Sequence, residues 1–375
     1  MTYAAITGWG KCLPPAVLTN DDLATFLDTT DDWIRKRTGI QERRISHVSV
    51  SQLAHVAAQR ALAAAGKAAE DVDLIIFGST TPDRICPNSA SGVQQLLGAN
   101  NAACMDLNTA CTSFLYSMTV ASSMIHTGVV RNAVVIGAEV ISPIIDWNNR
   151  NVAVLFGDGA SAFFLEESDE SQGIMVESLG CYGEVRDILS VHGWGVEYAN
   201  RGLLMGTTKW QFEGQEIFKR AVKGMAGACE SVLEKSGLSI DEVDLVVPHQ
   251  ANLRIIEAIS NRAGIPAEKV FINIHRYGNM SAATAPIALV EAVEEERVRA
   301  GSRILMPAFG AGLTWSAHLV KWGQRTQPLA YSDAELPPCD KSALELVLEI
   351  RERKGEYTTE PLFSKCSVDI ATEKQ

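Results

Sequence analysis

Short apolar runs alternate along the chain with stretches of helical periodicity. Residues 71–77 and 242–247 predict buried strands, because each is an apolar run of strand length bounded by polar residues. An Ala-rich helix is predicted over 51–66 and another over 229–237, and each ends at a glycine suited to a helix C-cap. The alternation of helices with buried strands predicts an α/β protein with mostly parallel sheets.

These passages repeat at a constant offset of 171 positions. The matched segments are Gly66 with Gly237, 72–74 with 243–245, 108–111 with 279–282, and 133–136 with 304–307. A constant offset through successive elements predicts two similar βα halves, residues 1–170 and 171–324. Residues 325–375 are polar except for an apolar-periodic run over 344–350, and we interpret them as a C-terminal appendage of unknown role.

Cys111 lies where a predicted strand over 102–107 gives way to a helix with Phe114, Leu115 and Met118 at helical spacing. The first turn of a buried helix has unpaired N–H groups that favour a negative charge. We therefore expect the Cys111 thiol to have a pKa below the usual value of ~8.5 and to act as a nucleophile. Taken alone, this segment favours a buried structural cysteine, which is the commoner role of a cytosolic cysteine.

Two distant segments favour the catalytic interpretation. His249 stands at the end of a predicted strand, and Asn279 lies in a Gly-Asn turn before another helix. A cysteine, a histidine and an asparagine at strand-to-helix junctions can form a thiol-centred acyl-transfer site. In a duplicated fold Cys111 and Ala282 head equivalent helices, so the nucleophile and its helpers are expected to come from opposite halves.

Composition narrows the class of protein. The 375 residues are 46% hydrophobic and 21% charged, as in soluble globular proteins. A net charge of −12 and a pI near 5.1 argue against nucleic-acid binding. No apolar run reaches the ~18 residues of a membrane span, and the N-terminus lacks signal-peptide features, so a cytoplasmic location is expected. Eight cysteines without a C-x-x-C pair predict neither a metal site nor a disulfide framework.

Three motifs carry a family resemblance: 109–114 (Thr-Ala-Cys-Thr-Ser-Phe), 248–252 (Pro-His-Gln-Ala-Asn) and 278–282 (Gly-Asn-Met-Ser-Ala). Together they resemble the 3-ketoacyl-acyl-carrier-protein synthase III family, the condensing enzymes that initiate fatty-acid synthesis. Supporting matches are 29–34, 37–40, 156–159 and 310–315. The resemblance covers residues 3–322 and implies a duplicated thiolase-like fold layered α-β-α-β-α, in agreement with the offset.

The resemblance implies catalytic roles. Cys111 would accept the acyl group of acyl-CoA as a thioester. His249 and Asn279 would stabilise the enolate that forms when malonyl-acyl-carrier protein loses CO2. The N–H groups of Cys111 and Ala311 would hold the oxyanion. Ala311 replaces the glycine that is usual in the family, so its role requires a negative φ. CoA and carrier-protein thioesters would be substrates, and no cofactor is implied.

The resemblance also implies residues that bind CoA. Trp33 and Arg150 would sandwich the adenine, and Arg37 would reach the phosphates, a combination of stacking and charge suited to a nucleotide. Gln215 would lie near the pantetheine, and Phe309 would pack near the nucleophile. A half-buried structural anchor is the alternative for Trp33.

Partner contacts follow from the same resemblance. An enzyme of net charge −12 needs a local basic patch to attract the acidic carrier protein, and Lys219, Arg254 and Arg262 match that patch. Cys86 stands where some relatives place a bulky aromatic residue that closes the primer pocket from the partner subunit. A smaller side chain there predicts a preference for medium-chain acyl-CoA. A homodimer is implied by the family alone.

Two other enzyme classes on the same fold remain open, both typical of secondary metabolism. Acyl transfer to an oxygen or nitrogen nucleophile would use Cys111 and His249 but would not require Asn279. Non-decarboxylative condensation would require a general base such as a glutamate near Cys111, and the sequence identifies none. A non-catalytic acyl-binding protein would be expected to lack one of the three residues, and all three are present.

Overall fold

The computed structural model describes residues 2–193 and 208–353. The strands are β1 (Tyr3–Cys12), β2 (Ala16–Thr19), β3 (Glu42–Ile45), β4 (Leu74–Gly78), β5 (Ala103–Leu107), β6 (Asn132–Glu139), β7 (Gly159–Ser168), β8 (Gly173–Cys181), β9 (Leu189–His192), β10 (Lys209–Phe212), β11 (Leu245–Val246), β12 (Arg303–Gly310) and β13 (Thr314–Lys321). The helices are α1 (Asn20–Ala24), α2 (Asp31–Thr38), α3 (Val50–Ala65), α4 (Ser89–Leu97), α5 (Ser113–His126), α6 (Arg150–Ala153), α7 (Gly214–Ser236), α8 (Leu253–Arg262), α9 (Ile274–Tyr277), α10 (Thr284–Glu294) and α11 (Ala343–Arg353).

Two sheets with the same strand arrangement form the framework. The first has the order β1-β7-β6-β4-β5, in which β4 runs parallel to β5 and β6, and β7 runs antiparallel to β6 and β1. The second has the order β11-β12-β13-β8, and a bridge from Val246 to Val270 continues it beyond β11. The expectation of mostly parallel sheets is therefore wrong, because in these two sheets three of the named strand pairs are parallel and four are antiparallel.

The predicted repeat is present in the backbone. The first residues of β4 and β11, of β6 and β12, and of α5 and α10 are each 171 positions apart. An equivalent hydrogen bond also occurs in both halves: the Asp73 carboxylate accepts one from the Arg131 N–H at 2.8 Å, and the Asp244 carboxylate accepts one from the Arg303 N–H at 2.7 Å. The duplicated α/β fold predicted from sequence is therefore confirmed.

The apolar core is arranged in layers. Side chains of α5 and α10, such as Phe114 and Leu289, share one buried cluster with residues of both sheets. The outer face of the first sheet is covered by α3 and α4, and that of the second sheet by α7 and α8. This order is the α-β-α-β-α stack implied by the resemblance. It leaves the N-terminal ends of α5 and α10 buried at the centre of the molecule.

Small residues set the distance between α3 and the first sheet. A Cβ atom on Gly8 would lie 2.1 Å from the carbonyl oxygen of Ala61, and one on Gly10 would lie 2.4 Å from that of Ala57. Because both obstacles are backbone atoms, larger side chains in β1 would force the helix away from the sheet. The Ala-rich sequence of α3 is the complementary surface.

The predicted strand over 71–77 begins later than expected, at Leu74. Residues 69–71 instead form a 3₁₀ turn, and the Asp71 carboxylate accepts the Ala68 N–H at 2.9 Å. The apolar run over 344–350 lies within α11. Among the described residues, no helix is long and apolar enough to cross a bilayer, and no three His, Cys, Asp or Glu side chains group as a metal site.

Candidate active site

A cavity of about 2090 Å³ brings Cys111, His249 and Asn279 together. Cys111 lies in the 3₁₀ turn Ala110–Thr112 between β5 and α5, and His249 follows β11. Asn279 precedes the equivalent 3₁₀ turn, Ser281–Ala283, at the head of α10. The cysteine thus comes from the first half of the chain and the other two residues from the second, as the duplication predicts.

The two halves contribute matching turns. Ala110 and Ser281, 171 positions apart, adopt positive φ angles of 54° and 46°, a conformation that costs ~1–3 kcal/mol for a non-glycine residue. In each turn an asparagine accepts a backbone hydrogen bond: Asn108 Oδ1 from the Ala110 N–H at 3.1 Å, and Asn279 Oδ1 from the Ser281 N–H at 2.8 Å. Because its Oδ1 is held in this way, Asn279 has its Nδ2 group to donate toward the cavity.

The backbone of Asn279 is fixed by the segment that follows α6. Its N–H donates to the Leu155 oxygen at 2.8 Å, and its own oxygen accepts the Gly157 N–H at 3.1 Å. A Cβ atom on Gly157 would lie 2.5 Å from the Tyr277 oxygen, so only glycine allows this approach. The 156–159 motif therefore positions Asn279.

The turn after β12 lies against the backbone of the nucleophile. A Cβ atom on Gly310 would lie 2.8 Å from the Cys111 nitrogen and 3.0 Å from the Thr109 oxygen. The Thr314 hydroxyl ties the two turns together by donating to the same Thr109 oxygen at 2.9 Å. Ala311 is not among the non-glycine residues with positive φ, so the condition placed on its N–H is met.

Burial raises the pKa of the Cys111 thiol to about 12, so the prediction of an unusually acidic thiol is wrong for the free protein. Loss of water around the sulfur is the largest effect. A hydrogen bond with the Ser281 side chain and one with the backbone N–H of Cys111 itself lower the pKa, and the Glu139 carboxylate raises it. Desolvation thus outweighs the field of the helix terminus, and the resting nucleophile is a neutral thiol.

His249 is buried, and desolvation lowers the pKa of its imidazole to about 3, so the ring is neutral at physiological pH. Its Nδ1 contacts the Thr284 hydroxyl, which also lies 3.0 Å from the Ser281 oxygen. The hydroxyl has one proton for these two acceptors. When that proton is donated to Nδ1, the imidazole carries its own proton on Nε2 and can act as a hydrogen-bond donor.

A buried glutamate does lie near the nucleophile, which corrects the sequence-based statement that none is identifiable. Glu139 accepts hydrogen bonds from the Thr80 N–H at 3.1 Å and from the Thr81 hydroxyl at 2.6 Å. It also accepts the Ala282 N–H at 3.4 Å. The carboxylate does not line the cavity. It is therefore a buttress beneath Cys111 rather than a base that faces a substrate.

The predicted nucleotide-binding residues are grouped around Trp33. The guanidinium carbon of Arg37 lies 4.8 Å from the Trp33 ring centroid, and that of Arg150 lies 5.0 Å from it. Trp33 and Arg37 line the cavity. Arg150 reaches the ring from the start of α6, where it also donates to the Asp28 oxygen at 2.7 Å. The Arg150 guanidinium thus stacks directly on Trp33. Because a sandwiched adenine needs a stacking distance of ~3.5 Å on each side, about 7 Å in all, Arg150 must move outward before the predicted sandwich can form.

The other predicted substrate contacts divide into two groups. Phe309, which is buried, and Gln215, which is exposed, both line the cavity. Cys86 is exposed and does not line it, whereas its neighbours Ile85 and Pro87 do. The role that the resemblance implies for Cys86, at a contact with a partner subunit, stays a prediction.

Two of the three predicted docking residues lie at the cavity entrance. Lys219 on α7 and Arg254 at the start of α8 are exposed and contribute to the cavity lining. Lys219 has a weak ion pair with Glu216 at 3.8 Å. Arg262 is exposed in the last turn of α8, eight residues and ~12 Å along the helix from Arg254. The docking role therefore fits Lys219 and Arg254 better than Arg262.

Comparison with known proteins identifies the family. Residues 105–183 match the family model of 3-oxoacyl-[acyl-carrier-protein (ACP)] synthase III, and residues 233–322 match the model of its C-terminal part. A beta-ketoacyl-[acyl-carrier-protein] synthase III 2 of Vibrio cholerae is 51% identical over 358 residues, which cover 96% of this chain and 99% of the relative. The chain belongs to the 3-oxoacyl-[acyl-carrier-protein] synthase III family.

Other members of the synthase III family agree with this assignment. A beta-ketoacyl-[acyl-carrier-protein] synthase III of Roseiflexus castenholzii is 46% identical over 85% of this chain and 98% of its own length. The crystal structure of a 3-oxoacyl-[acyl-carrier-protein] synthase III from Aquifex aeolicus matches with a TM-score of 0.80 at 42% identity. It covers 85% of this chain and 100% of that one.

Sequence reasoning missed three residues that organise this synthase III site: Ser281, Thr284 and Glu139. The Asn-x-Ser spacing of Asn279 and Ser281 is a local pattern that predicts a backbone turn held by the asparagine side chain. Glu139 ends strand β6 directly after the apolar run 133–138, which is an unusual place for a carboxylate. No comparable pattern in the sequence links Thr284 to His249, because that contact depends on how α10 packs against β11.

Proposed function

We infer that this protein catalyses the decarboxylative Claisen condensation of an acyl-CoA with malonyl-acyl-carrier protein, the initiating step of fatty-acid synthesis. The observation that carries the proposal is the convergence of Cys111, His249 and the oriented amide of Asn279 in one cavity. Membership of the synthase III family supports the same reaction. CoA and carrier-protein thioesters are substrates in this scheme, and no cofactor takes part.

In the first half-reaction the Cys111 sulfur attacks the acyl-CoA carbonyl carbon. The carbonyl oxygen, on which negative charge develops, accepts hydrogen bonds from the N–H groups of Cys111 and Ala311. One such donor is typically worth ~10²–10³ in rate. The bond between the carbonyl carbon and the CoA sulfur then breaks. CoA leaves as a thiol with the proton that Cys111 lost, and an acyl-Cys111 thioester remains.

In the second half-reaction the bond between the malonyl methylene carbon and its carboxylate breaks, and CO2 leaves. The electron pair forms an enolate, whose oxygen accepts hydrogen bonds from Asn279 Nδ2 and from His249 Nε2–H. The methylene carbon attacks the acyl-Cys111 carbonyl, and the Cys111 sulfur departs and takes up a proton from water. This step requires the His249 tautomer in which Thr284 donates to Nδ1.

The two alternative enzyme classes receive less support. The non-decarboxylative class needs a carboxylate that faces the substrate, whereas Glu139 lies outside the cavity lining and accepts several hydrogen bonds from the protein. Acyl transfer to oxygen or nitrogen does not explain why the Asn279 amide is oriented by the Ser281 N–H.

Intact-protein mass spectrometry tests the proposal. Incubation with a series of acyl-CoAs is expected to add one acyl mass to the wild-type protein and none to Cys111→Ala. Cys339→Ala, which removes a cysteine outside the cavity lining, is the matched control and should be labelled like the wild type. When malonyl-acyl-carrier protein is added, the acylated protein should lose its acyl group and release CO2 and 3-ketoacyl-carrier protein. Labelling of Cys111→Ala, or none with any acyl-CoA, would exclude the acyl-Cys111 mechanism.

We also propose that the primer is medium-chain. Cys86 is a small residue in an exposed loop whose neighbours Ile85 and Pro87 line the cavity. The proposal predicts a higher kcat/KM for octanoyl-CoA than for acetyl-CoA, and Cys86→Phe should reverse that preference. A wild-type enzyme that favours acetyl-CoA would contradict it.

We further propose a homodimer located in the cytoplasm, where both thioester substrates occur. Strand β5 is at the end of the first sheet and, among the described residues, pairs only with β4. An open strand edge of this kind suits antiparallel pairing with a second copy. Ile85, which is 72% exposed, supports an apolar contact in the same interface. Sedimentation equilibrium at micromolar concentration should give twice the chain mass, and a monomer would contradict the proposal.

A further inference from the structure

The C-terminal segment 324–353 follows a defined course over the first half of the molecule. The Arg325 guanidinium donates to the Ala64 oxygen at 2.7 Å, at the end of α3. Further along, the Ala334 oxygen accepts a hydrogen bond from the Arg60 side chain at 3.0 Å. These contacts lead the segment along α3 toward the residues around Trp33.

The segment ends in α11, an amphipathic helix. Ser342 and Glu345 form a capping box: the Ser342 N–H donates to the Glu345 carboxylate at 2.7 Å, and the Glu345 N–H donates to the Ser342 hydroxyl at 3.2 Å. Ala343, Val347 and Ile350 are buried in one apolar cluster with residues of β2, β3 and α6. The helix is therefore firmly packed beside the predicted nucleotide-binding residues.

Arg351, in the last turn of α11, contacts two separate segments. Its guanidinium carbon lies 4.6 Å from the Phe26 ring centroid, and its Nη2 donates to Asn148 Oδ1 at 2.9 Å. Phe26 lies between α1 and α2, whereas Asn148 lies just before α6. One side chain from the C-terminal helix thus joins two segments that are 122 positions apart.

The same two segments carry the residues grouped around Trp33. Helix α2 holds Trp33 and Arg37, and α6 begins with Arg150, whose guanidinium carbon is 5.0 Å from the Trp33 ring centroid. The hydrogen bond from Arg150 to the Asp28 oxygen, at 2.7 Å, joins the two segments a second time. The contacts of Arg351 and of Arg150 therefore act in parallel across one gap.

We propose that Arg351 is a positioning residue for acyl-CoA. By joining Phe26 to Asn148, it fixes the separation of α2 and α6, and so the geometry in which Trp33 and Arg150 receive the CoA nucleotide. The inference rests on the proposed function, because it assigns acyl-CoA to this end of the cavity. With the two segments held at a fixed separation, only the Arg150 side chain has to rearrange when the nucleotide enters, which limits the entropic cost of ordering the site upon binding.

The test compares two acyl donors that differ only in the nucleotide. Acyl-CoA reaches the clamp, whereas the acyl-pantetheine thioester delivers the same acyl group without it. We expect Arg351→Ala to raise the KM for acyl-CoA by about fivefold with kcat unchanged, and to leave the KM for acyl-pantetheine within about 1.5-fold of the wild type. Arg353→Ala, an exposed arginine two residues along the same helix, is the matched control and should change neither value.

A second variant removes the other partner of the hydrogen bond between Arg351 and Asn148. Asn148→Ala should reproduce the KM increase, and the double variant Arg351→Ala with Asn148→Ala should be no worse than the more affected single variant, since both remove one interaction. Asn148 is exposed, so its replacement keeps the test available if Arg351→Ala folds poorly.

Three results with the variants would overturn the inference: no change in KM with acyl-CoA, an equal change with both donors, or strictly additive effects in the double variant. An equal change would indicate a general structural role of α11. Equal KM values of the two donors in the wild type would also overturn it, because the nucleotide would then contribute nothing. Failure of the proposed function has a different result, the absence of Cys111 acylation by either donor.

Discussion

The contact between Gly310 and the nucleophile leads to a sharp steric prediction. Gly310 has a φ of −147°, an extended conformation that alanine adopts without strain. The obstacle to Gly310→Ala is therefore space alone. The new Cβ would lie 2.8 Å from the Cys111 nitrogen, 3.0 Å from the Thr109 oxygen and 3.2 Å from the Thr112 nitrogen. All three are backbone atoms of the turn that carries the nucleophile.

The size of the effect follows from these distances. Ordinary contacts of a Cβ atom begin at 3.4 Å, so the turn must move by about 0.6 Å. Overpacking of this kind typically costs ~1–3 kcal/mol of stability, which a protein of this size can tolerate. The movement displaces the Cys111 N–H and sulfur relative to Ala311. Because one oxyanion donor is typically worth ~10²–10³ in rate, we expect Gly310→Ala to lower the rate of Cys111 acylation by about 10²-fold.

The assay is time-resolved mass spectrometry of Cys111 acylation by acyl-CoA, with the unfolding temperature measured in parallel. Gly227→Ala is the matched control, because Gly227 is an exposed residue of α7 whose added Cβ would have no neighbour within 4 Å. The control should acylate normally and be slightly more stable, since alanine is favoured over glycine within a helix by ~0.5–1 kcal/mol.

Acylation of Gly310→Ala at more than about half the wild-type rate would refute the reasoning, because it would show that the turn moves without displacing the catalytic groups. A comparable loss in Gly227→Ala would refute it as well. A protein that acylates slowly only because it has unfolded is recognised by its lowered unfolding temperature.

Two further predictions concern protonation in the cavity. Burial raises the pKa of the Cys111 thiol to about 12. The rate of its alkylation by iodoacetamide should therefore increase about tenfold per pH unit from about pH 6 to about pH 10, because only the thiolate reacts. A rate that reaches a plateau below about pH 8 would contradict that pKa. Thr284→Val should lower the rate of condensation about tenfold without slowing acylation, because it removes the hydroxyl that can donate to His249 Nδ1 and so leave the ring proton on Nε2, and Thr284→Ser should restore the rate. A Thr284→Val enzyme with wild-type condensation kinetics would exclude that role.

The sequence by itself determined the duplicated architecture. Each half encodes the same helix, turn and strand in the same order, so the sequence itself contains the constant offset of 171 positions. The α11 helix was equally predictable, since the apolar residues over 344–350 recur at helical spacing. Cys111, His249 and Asn279 were predictable as one site because the repeat places α5 and α10 head to head.

Only the tertiary structure decided the electrostatics of the site. The position of Cys111 at a helix start predicts a more acidic thiol, but its pKa depends on how much water the surrounding residues exclude, and that exclusion dominates. The contact of His249 with Thr284 joins residues 35 positions apart and depends on the packing of α10 against the second sheet. Sequence spacing carries no information about either distance.

The contacts of the C-terminal segment could not be predicted from sequence for the same reason. Its helical pattern is local, but the contacts of Arg351 with Phe26 and Asn148 join residues more than 200 positions apart. Periodicity and capping are properties of neighbouring residues, so the sequence contains them directly. Desolvation, tautomer selection and the spacing of the nucleotide clamp are properties of surfaces that meet only when the chain has folded.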